Sequence, residues 1–294
     1  MDIPNKRILF ISFETFANLA FDLLGNKFKT FDVMQYSVWN KMGLLSKINL
    51  ARKYDFIHSF WAKNSYNDII ACKLTGTKYI NHYIGSDVLK ALDSRKSQKK
   101  AKKIYKNSYK TLADADNLIE ELKELKINDV ELLSIYFYDK SDESYIVTPP
   151  DTKKIMTYIP EGKEDFYGFN FIIKAAIKFP QYEFQISANE GKYDNMPSNV
   201  SFLGWVTDIN KYIDECFLYI RSTKHDGLPT SVMQALVKGK HVLSSHKVPF
   251  THEVNLDNIE KCLAKDKMNH EGRKYILDNY SKEKVIQKFK ELYQ

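Results

Sequence analysis

The sequence contains no uninterrupted run of about 18 apolar residues, so it predicts no membrane-spanning helix. Its first residues lead directly into a predicted strand and lack the apolar stretch of a signal peptide. Cysteine is scarce: Cys72, Cys216 and Cys262 lie far apart in apolar contexts, which predicts reduced core thiols in a cytoplasmic protein. No Cys/His cluster has zinc spacing, and no Asp-x-Asp pair suits a divalent metal, so we expect no metal site.

Acidic residues are absent from one long basic stretch, although the whole chain carries a formal net charge of only +7. The basic residues of this stretch are Arg95, Lys96, Lys99, Lys100, Lys102, Lys103, Lys106 and Lys110. Two interpretations stand side by side: a solvated helix face, and attraction to anionic lipid head groups at roughly 1 kcal/mol per basic residue. Nucleic acid is a weaker third interpretation, because no RNA- or DNA-binding motif accompanies the charge.

Short apolar runs alternate with helical patterns along the first half of the chain. Residues 7–12, 31–38, 54–61 and 78–84 are typical of buried strands, and residues 130–136 are predicted to complete the sheet. Strands that alternate with helices indicate βαβ units. We therefore predict an α/β protein built on a doubly wound parallel sheet.

The composition changes at residues 137–151, where several charges precede Thr148, Pro149 and Pro150. Charge followed by a proline pair predicts an interdomain linker. The 294 residues suffice for two domains of ordinary size. We predict a first domain over residues 1–140, a linker over residues 141–152, a second domain over residues 153–280 and a C-terminal helix over residues 281–294.

The clearest motif lies between residues 199 and 249. A strand over residues 217–221 leads into a loop, and Thr230 or Ser231 can cap a helix that ends at Gly239. The N–H groups and the dipole at the beginning of a helix suit a phosphate. The motif predicts a phosphate site formed by Gly227, Leu228, Pro229, Thr230 and Ser231.

This motif resembles the nucleotide-sugar half of retaining GT-B glycosyltransferases (group 1, family 4-like). In that family a glycine-proline loop enters a helix between two glutamates, and the matching positions here are Asp226 and Gln234. The spacing matches, but neither glutamate is present. The resemblance extends over nearly the whole chain, with strong motifs in the second half and weak ones in the first. It implies the GT-B fold: two Rossmann-like, doubly wound domains with an interdomain cleft.

The resemblance implies a hexosyltransferase-like enzyme that moves a sugar from a UDP- or GDP-sugar to a saccharide or lipid-linked acceptor. It further implies retention, no cofactor or metal, and a role in polysaccharide or glycolipid assembly in the cytoplasm or on the inner face of the membrane. Two alternatives stay open: a catalytically degenerate subunit that binds a partner transferase, suggested by the missing glutamates, and a nucleotide-sugar epimerase on the same fold.

On the donor side, the resemblance assigns Asp226 to the transferred sugar and Gln234 to the ribose. Lys163 would hold the diphosphate, where developing negative charge needs a cation; Tyr167 replaces the family's second cation. The nucleobase would contact Gly204, Trp205 and Val206 at a strand end. Each residue also has a structural interpretation: an Asx-turn for Asp226, an exposed turn position for Lys163, and a packing role for Trp205.

On the acceptor side, the resemblance places His82 near the transferred sugar. It places Gly85, Ser86 and Asp87 near the acceptor. The competing interpretations are a satisfied buried histidine for His82 and a helix N-cap for Asp87; we expect His58 in the core. The family's glycine loop after the first strand is missing. The C-terminal helix is implied to return to the first domain through an apolar stripe of Val285, Ile286, Phe289 and Leu292.

Overall fold

The computed structural model describes residues 5–61, 66–138 and 153–294. The chain divides into unit 1, Met1–Phe137 with Lys282–Gln294, and unit 2, Tyr138–Ser281. The predicted linker over residues 141–152 lies outside the described residues. Among the helices of the described ranges, none combines the length and the apolar character needed to cross a membrane.

Unit 1 is a six-stranded parallel sheet with helices around it. Its strands are β1 (Arg7–Ser12), β2 (Thr30–Gln35), β3 (Phe56–Phe60), β4 (Lys78–Tyr83), β5 (Lys110–Ala113) and β6 (Val130–Leu132). Its helices are α1 (Glu14–Leu24), α2 (Tyr36–Lys41), α3 (Leu44–Ala51), α4 (Tyr66–Thr75), α5 (Ser86–Leu92), α6 (Arg95–Tyr105), α7 (Asp116–Glu124) and, from the end of the chain, α13 (Lys282–Leu292). The strand order is β2-β1-β3-β4-β5-β6.

Both faces of this sheet are buried. Successive side chains of β1 point to opposite sides of the sheet and enter two different core clusters. Phe10 joins a core cluster with Phe289 and Tyr293 from the C-terminal segment. Leu9 and Ile11 join a second cluster around Trp39. Burial on two sides explains why the strands appear in the sequence as continuous apolar runs.

Two predicted strands of unit 1 are too long. Residues 31–38 were predicted as one strand, but β2 ends at Gln35 and α2 begins at Tyr36, because Tyr36 and Trp39 bury one helical face. The strand predicted over residues 130–136 ends at Leu132.

Unit 2 is a five-stranded parallel sheet. Its strands are β7 (Lys154–Tyr158), β8 (Phe184–Ser187), β9 (Val200–Phe202), β10 (Cys216–Arg221) and β11 (His241–Ser244). Its helices are α8 (Phe169–Lys178), α9 (Ile209–Glu215), α10 (Thr230–Val237), α11 (Leu256–Leu263) and α12 (His270–Asn279). The strand order is β11-β10-β7-β8-β9. The predicted class, α/β with doubly wound parallel sheets, is confirmed.

The order of the strands in unit 2 reverses at β7, which has β8 on one side and β10 on the other. Doubly wound sheets bind ligands outside the carboxyl ends of the strands at this switch point. Here the switch point lies between the turn that follows Tyr158 and the loop that follows Arg221. These two segments contain Lys163 and the Asp226–Ser231 motif.

Candidate functional site

The loop after β10 ends in an open helix N-terminus. The predicted cap at Thr230 or Ser231 is wrong: Pro229 occupies the N-cap position, and no side chain caps the helix. The N–H groups of Val232 and Met233 both donate to the carbonyl of Pro229, at 3.0 and 3.2 Å. The N–H groups of Thr230 and Ser231 have no acceptor among the described residues. Helix α10 therefore presents two free amides and its positive dipole end.

Two polar side chains of α10, Ser231 and Gln234, differ in their hydrogen bonding. The hydroxyl of Tyr219, on β10, donates to Ser231 Oγ at 2.8 Å and fixes that side chain. Gln234 lies one helical turn further along and is half-buried. Its amide forms no hydrogen bond within the described ranges, so it is available to a ligand.

The turn after β7 holds Lys163 on a well-ordered backbone. The N–H of Lys163 donates to the carbonyl of Pro160 at 3.1 Å, and the N–H of Gly162 donates to Glu164 Oε1 at 2.8 Å. Glu164 Oε1 also accepts from the Tyr193 hydroxyl at 2.6 Å, which is the main cause of the lowered pKa of Glu164. The ammonium of Lys163 is exposed and forms no ion pair with the described residues.

The turn after β7 and the loop after β10 are bonded to each other. Ser222 Oγ donates to the carbonyl of Tyr167 at 2.9 Å, and the N–H of Lys224 donates to the carbonyl of Phe166 at 2.9 Å. Gly168 has φ +71°, and a Cβ there would lie 2.5 Å from the Ser222 carbonyl oxygen. Glycine is required for this approach of two backbones, which joins the turn that contains Lys163 to the loop that leads into α10.

Arg221, the last residue of β10, adds a cation that our reading of the sequence missed. Its guanidinium binds Asp226 Oδ2 through Nε at 2.8 Å and through a terminal nitrogen at 2.6 Å. It lies 4.9 Å from the ring centre of Tyr167 and 5.7 Å from that of Tyr158. Burial, the largest single influence, lowers the pKa of Arg221, but Asp226, Tyr219 and Tyr167 together outweigh it and the pKa is raised. The one signal in the sequence that pointed to Arg221 was that a charged residue ends the apolar run of β10.

Asp226 was predicted to contact the transferred sugar. Its carboxylate is instead bound to Arg221, and it also accepts from the N–H of Gly227 at 3.1 Å. The side chain keeps 21% of its surface exposed. The neighbouring His225, a second candidate for that role, packs its ring against His246, with 5.9 Å between the ring centres.

A cavity of about 190 Å³ adjoins this site at the carboxyl ends of β7 and β8. Tyr158 and Ser187 line it from the strands, and Trp205 and Val206 line it from the turn after β9. Trp205 is 75% exposed, which is unusual for a ring that only packs. The adjoining Gly204 has φ +61°, and its carbonyl accepts from the N–H of Ala188 at 2.7 Å. An aromatic wall beside backbone polar groups suits a flat heterocycle.

The His82 side chain is fully buried, and both of its ring nitrogens form hydrogen bonds. Nε2 donates to the carbonyl of Leu133 at 2.8 Å, so Nδ1 accepts from His58 Nε2 at 3.0 Å. His58 Nδ1 in turn accepts from the Tyr293 hydroxyl at 2.6 Å. Burial lowers the pKa of His82 to about 3 and that of His58 well below its usual value. The expectation of His58 in the core is confirmed, and His82 is a satisfied buried histidine.

Asp87 organises its own loop and is not the N-cap of α5; Gly85 holds that position. The Asp87 carboxylate accepts hydrogen bonds from the N–H groups of Ile84, Gly85 and Val88, at 2.9–3.2 Å. It is almost completely buried. These hydrogen bonds give Asp87 a structural role in its own loop. Its role at an acceptor stays a prediction.

Ser86, the third acceptor-side candidate, accepts from the indole Nε1 of Trp61 at 3.0 Å. A cavity of about 180 Å³ lies between α5 and α6, and Asp87, Lys90 and Lys100 contribute to its wall. Of the acceptor-side candidates, Asp87 therefore lines a partly basic cavity within unit 1.

No protein-family model and no curated protein matches this sequence. Solved structures match along almost its whole length. The Anabaena protein HepE, solved with UDP-glucose, shares 13% identity at a TM-score of 0.73, over 98% of this chain and 99% of that chain. A glycosyltransferase from Rickettsia africae shares 13% sequence identity at a TM-score of 0.72, over 98% of each chain. Sucrose-phosphate synthase from Thermosynechococcus elongatus shares 12% sequence identity at a TM-score of 0.71, over 98% of each chain. The chain has the GT-B fold.

Proposed function

We propose that this protein is a glycosyltransferase that transfers a hexose-type sugar from a nucleotide diphosphate sugar to a saccharide or lipid-linked acceptor, with retention and without a metal. The observation that carries the proposal is the open N-terminus of α10 at the switch point of unit 2, with the unpaired Lys163 across the joined loops. The GT-B fold and the UDP-glucose bound to HepE support the nucleotide-sugar donor.

The donor diphosphate is assigned to Lys163 and to the free amides of Thr230 and Ser231. When the bond between the sugar and the diphosphate breaks, the leaving oxygens gain negative charge. Fixed amides, a helix dipole and an ammonium stabilise that charge without reorganising. The acceptor hydroxyl attacks the sugar from the face that the diphosphate leaves.

Arg221 is assigned as the second cation on the diphosphate. Tyr167 stands where the resemblance expects a basic residue, and the Arg221 guanidinium lies 4.9 Å from the ring of Tyr167. Guanidinium has five N–H donors, and the ion pair with Asp226 involves Nε and one terminal nitrogen. Arg221 can therefore bind a phosphate oxygen without releasing Asp226.

The nucleoside is assigned to the cavity beside Trp205. The base would lie against the exposed indole and contact the backbone of Gly204 and Val206. The unengaged amide of Gln234 would hydrogen-bond the ribose hydroxyls in the position that the resemblance gives to glutamate. Neither assignment involves His82, whose nitrogens are occupied.

The test is a thermal-shift panel of UDP, GDP and other nucleoside diphosphates, followed by donor hydrolysis and transfer assays on the responding nucleotide. A nucleotide at 100 times its dissociation constant adds roughly 2.7 kcal/mol to stability. Binding without hydrolysis or transfer would favour a degenerate subunit. Interconversion of the donor sugar without an acceptor would favour an epimerase. No response to any nucleotide would overturn the proposal.

We further propose that α6 contacts an anionic membrane surface, where a lipid-linked acceptor would be found. Within α6, only Ala101 and Ile104 are buried. Arg95, Lys96 and Lys99 are exposed and have no acidic partner in the described chain. A surface of this kind attracts anionic head groups in a salt-dependent manner.

A further inference from the structure

A second cluster of chemically reactive side chains lies in unit 2, at the sheet edge formed by β11. It comprises His241, the first residue of β11; His252, on a segment that runs beside β11; and Cys262, on α11. One ligand atom from each residue lies within 4.8 Å of the other two. Their sequence spacing is unlike that of a zinc motif, so only the fold brings them together.

His241 is oriented as a metal ligand would be. Its Nε2 lies 2.8 Å from the carbonyl oxygen of Lys267, which can only accept, so Nε2 carries the proton. Nδ1 therefore has the lone pair, and it is buried without any hydrogen-bond partner among the described residues. The residue is only 4% exposed. Metal-binding histidines characteristically donate their other nitrogen to a carbonyl in this way.

The other two members of the cluster are available to the same ion. Cys262 is fully buried and has no disulfide partner. His252 is half-buried, and its Nε2 lies 3.4 Å from the ammonium of Lys265, an exposed and flexible side chain. A divalent ion would displace that ammonium toward solvent, and the Cys262 thiol would release its proton to water on binding.

We propose that His241, His252 and Cys262 bind a zinc-type divalent ion, with water as the fourth ligand. Two imidazoles and a thiolate match the ligands that zinc prefers. Zinc–ligand bonds of about 2.0–2.3 Å in a tetrahedron place ligand atoms roughly 3.3–3.8 Å apart. Because the ligand atoms of the cluster lie within 4.8 Å of one another, ion binding requires a contraction of at most about 1.5 Å.

The position of the cluster argues for a structural ion. His241 pairs with Leu218, whereas Ser244 pairs with Arg221 at the candidate donor site. His241 therefore lies at the opposite end of β11, roughly 10 Å along the strand, whereas His252 pairs with Leu243. The ion would tie the edge strand, the segment beside it and α11 together. It is independent of the proposed transfer reaction, which we assign no metal.

The test is calorimetric titration of the untagged, metal-free protein with Zn²⁺ alone, and with Co²⁺ to detect a thiolate-to-cobalt absorption band. We expect one ion per chain, the band, and a raised melting temperature. Cys262→Ser and His252→Gln should weaken zinc binding at least about tenfold, since even outer-shell changes cost that much. The matched controls, Cys216→Ser and His270→Ala, should bind zinc like the parent protein.

Lys265→Ala makes the test sharper, because it removes a competing cation and should tighten zinc binding. If Cys262→Ser does not fold, His252→Gln and Lys265→Ala still decide the result. No stoichiometric zinc, no cobalt–thiolate band, or equal affinity in His252→Gln and the parent would each overturn the proposal. A nucleotide response that persists in Cys262→Ser would separate this site from the donor site.

Discussion

The two units share one architecture but differ in how the polar side chains predicted for their sites are hydrogen-bonded. In unit 1, His82 lies near the end of β4 and Asp87 follows that strand, and their polar atoms are satisfied by buried protein partners. In unit 2, Lys163 and Gln234 have no partner in the described chain, and Trp205 is exposed. Position at a strand end is therefore a weak sign of a binding site. The stronger sign is a polar group that the protein itself leaves unpaired.

This comparison predicts that changes in unit 1 alter stability, whereas changes at the unit 2 site alter ligand binding. The first prediction, with the largest effect, removes residues 281–294. That deletes Val285, Phe289, Leu292 and Tyr293 from the unit 1 core, each worth roughly 1.5–3 kcal/mol of burial. The sum approaches the whole stability of a domain.

We expect the truncated chain to lose cooperative unfolding of unit 1 and transfer activity, while nucleotide binding survives in calorimetry. A matched control is Lys284→Ala, which leaves the four apolar side chains of α13 in place. Full transfer activity in a truncated protein that remains folded by circular dichroism would contradict the assignment of this helix to the core of unit 1.

The second prediction concerns pH. The pKa of His82 is about 3 in the folded chain and about 6.5 when unfolded, so the unfolded state binds more protons between these values. Stability is therefore present above pH 6.5 and falls as the pH decreases toward 3. At pH 5 the loss is about 2 kcal/mol for His82, and His58 adds to it in the same direction.

Urea denaturation between pH 4 and 8 measures this loss. The exposed His270 provides the matched substitution, because His270→Ala leaves the hydrogen bonds of His58 and His82 in place. His82→Gln should flatten the slope and lower stability at pH 7. An unchanged slope in His82→Gln would mean that this histidine does not carry the pH dependence.

The third prediction tests the two cations proposed for the diphosphate. Lys163→Ala and Arg221→Met should each reduce affinity for a nucleoside diphosphate by roughly 1.5–3 kcal/mol, the value of hydrogen bonds to charged groups. Affinity for the nucleoside alone should change little, and calorimetry measures both. Lys192→Ala, another exposed lysine of unit 2, is the control. Equal losses for both ligands would remove that residue from the diphosphate.

The fourth prediction concerns the ribose. Gln234→Ala should cost roughly 1–3 kcal/mol in binding of a ribonucleotide, because hydroxyl groups of the bound ribose lose their partner. Binding of the 2′,3′-dideoxy nucleotide should be nearly unaffected. Gln234→Glu should be tolerated, since it restores the residue that the resemblance expects. A folded but inactive glutamate variant would contradict this role.

The smallest expected effect per residue concerns the basic helix. Reversing the charges of Arg95, Lys96, Lys99 and Lys106 should abolish salt-sensitive sedimentation with vesicles of anionic phospholipid, at roughly 1 kcal/mol per residue. Hydrolysis of a soluble donor should remain unchanged. The control reverses four exposed lysines of unit 2. Equal binding to neutral and anionic vesicles would identify α6 as a solvated surface.

Parts of the site could be predicted from the sequence, because they are formed by residues that lie close together in the chain. The glycine-proline loop before α10 and the Lys163 turn each lie within a few residues of chain. Arg221 was missed because its neighbours at Tyr158 and Tyr167 come from other elements. The short helices α2 and α9 were missed because each has only one or two buried side chains.

The sequence by itself determined the α/β class and the position of most strands, because a strand buried on both faces needs a continuous apolar run wherever it lies. Only the tertiary structure decided which polar residues are free. The ring nitrogens of His82 are hydrogen-bonded to His58 and to the Leu133 carbonyl, and Tyr293 extends this chain of hydrogen bonds from a position 235 residues after His58. Hydrogen-bond satisfaction depends on the distance in space between a donor and its acceptor, and no local pattern encodes a partner so remote in the chain.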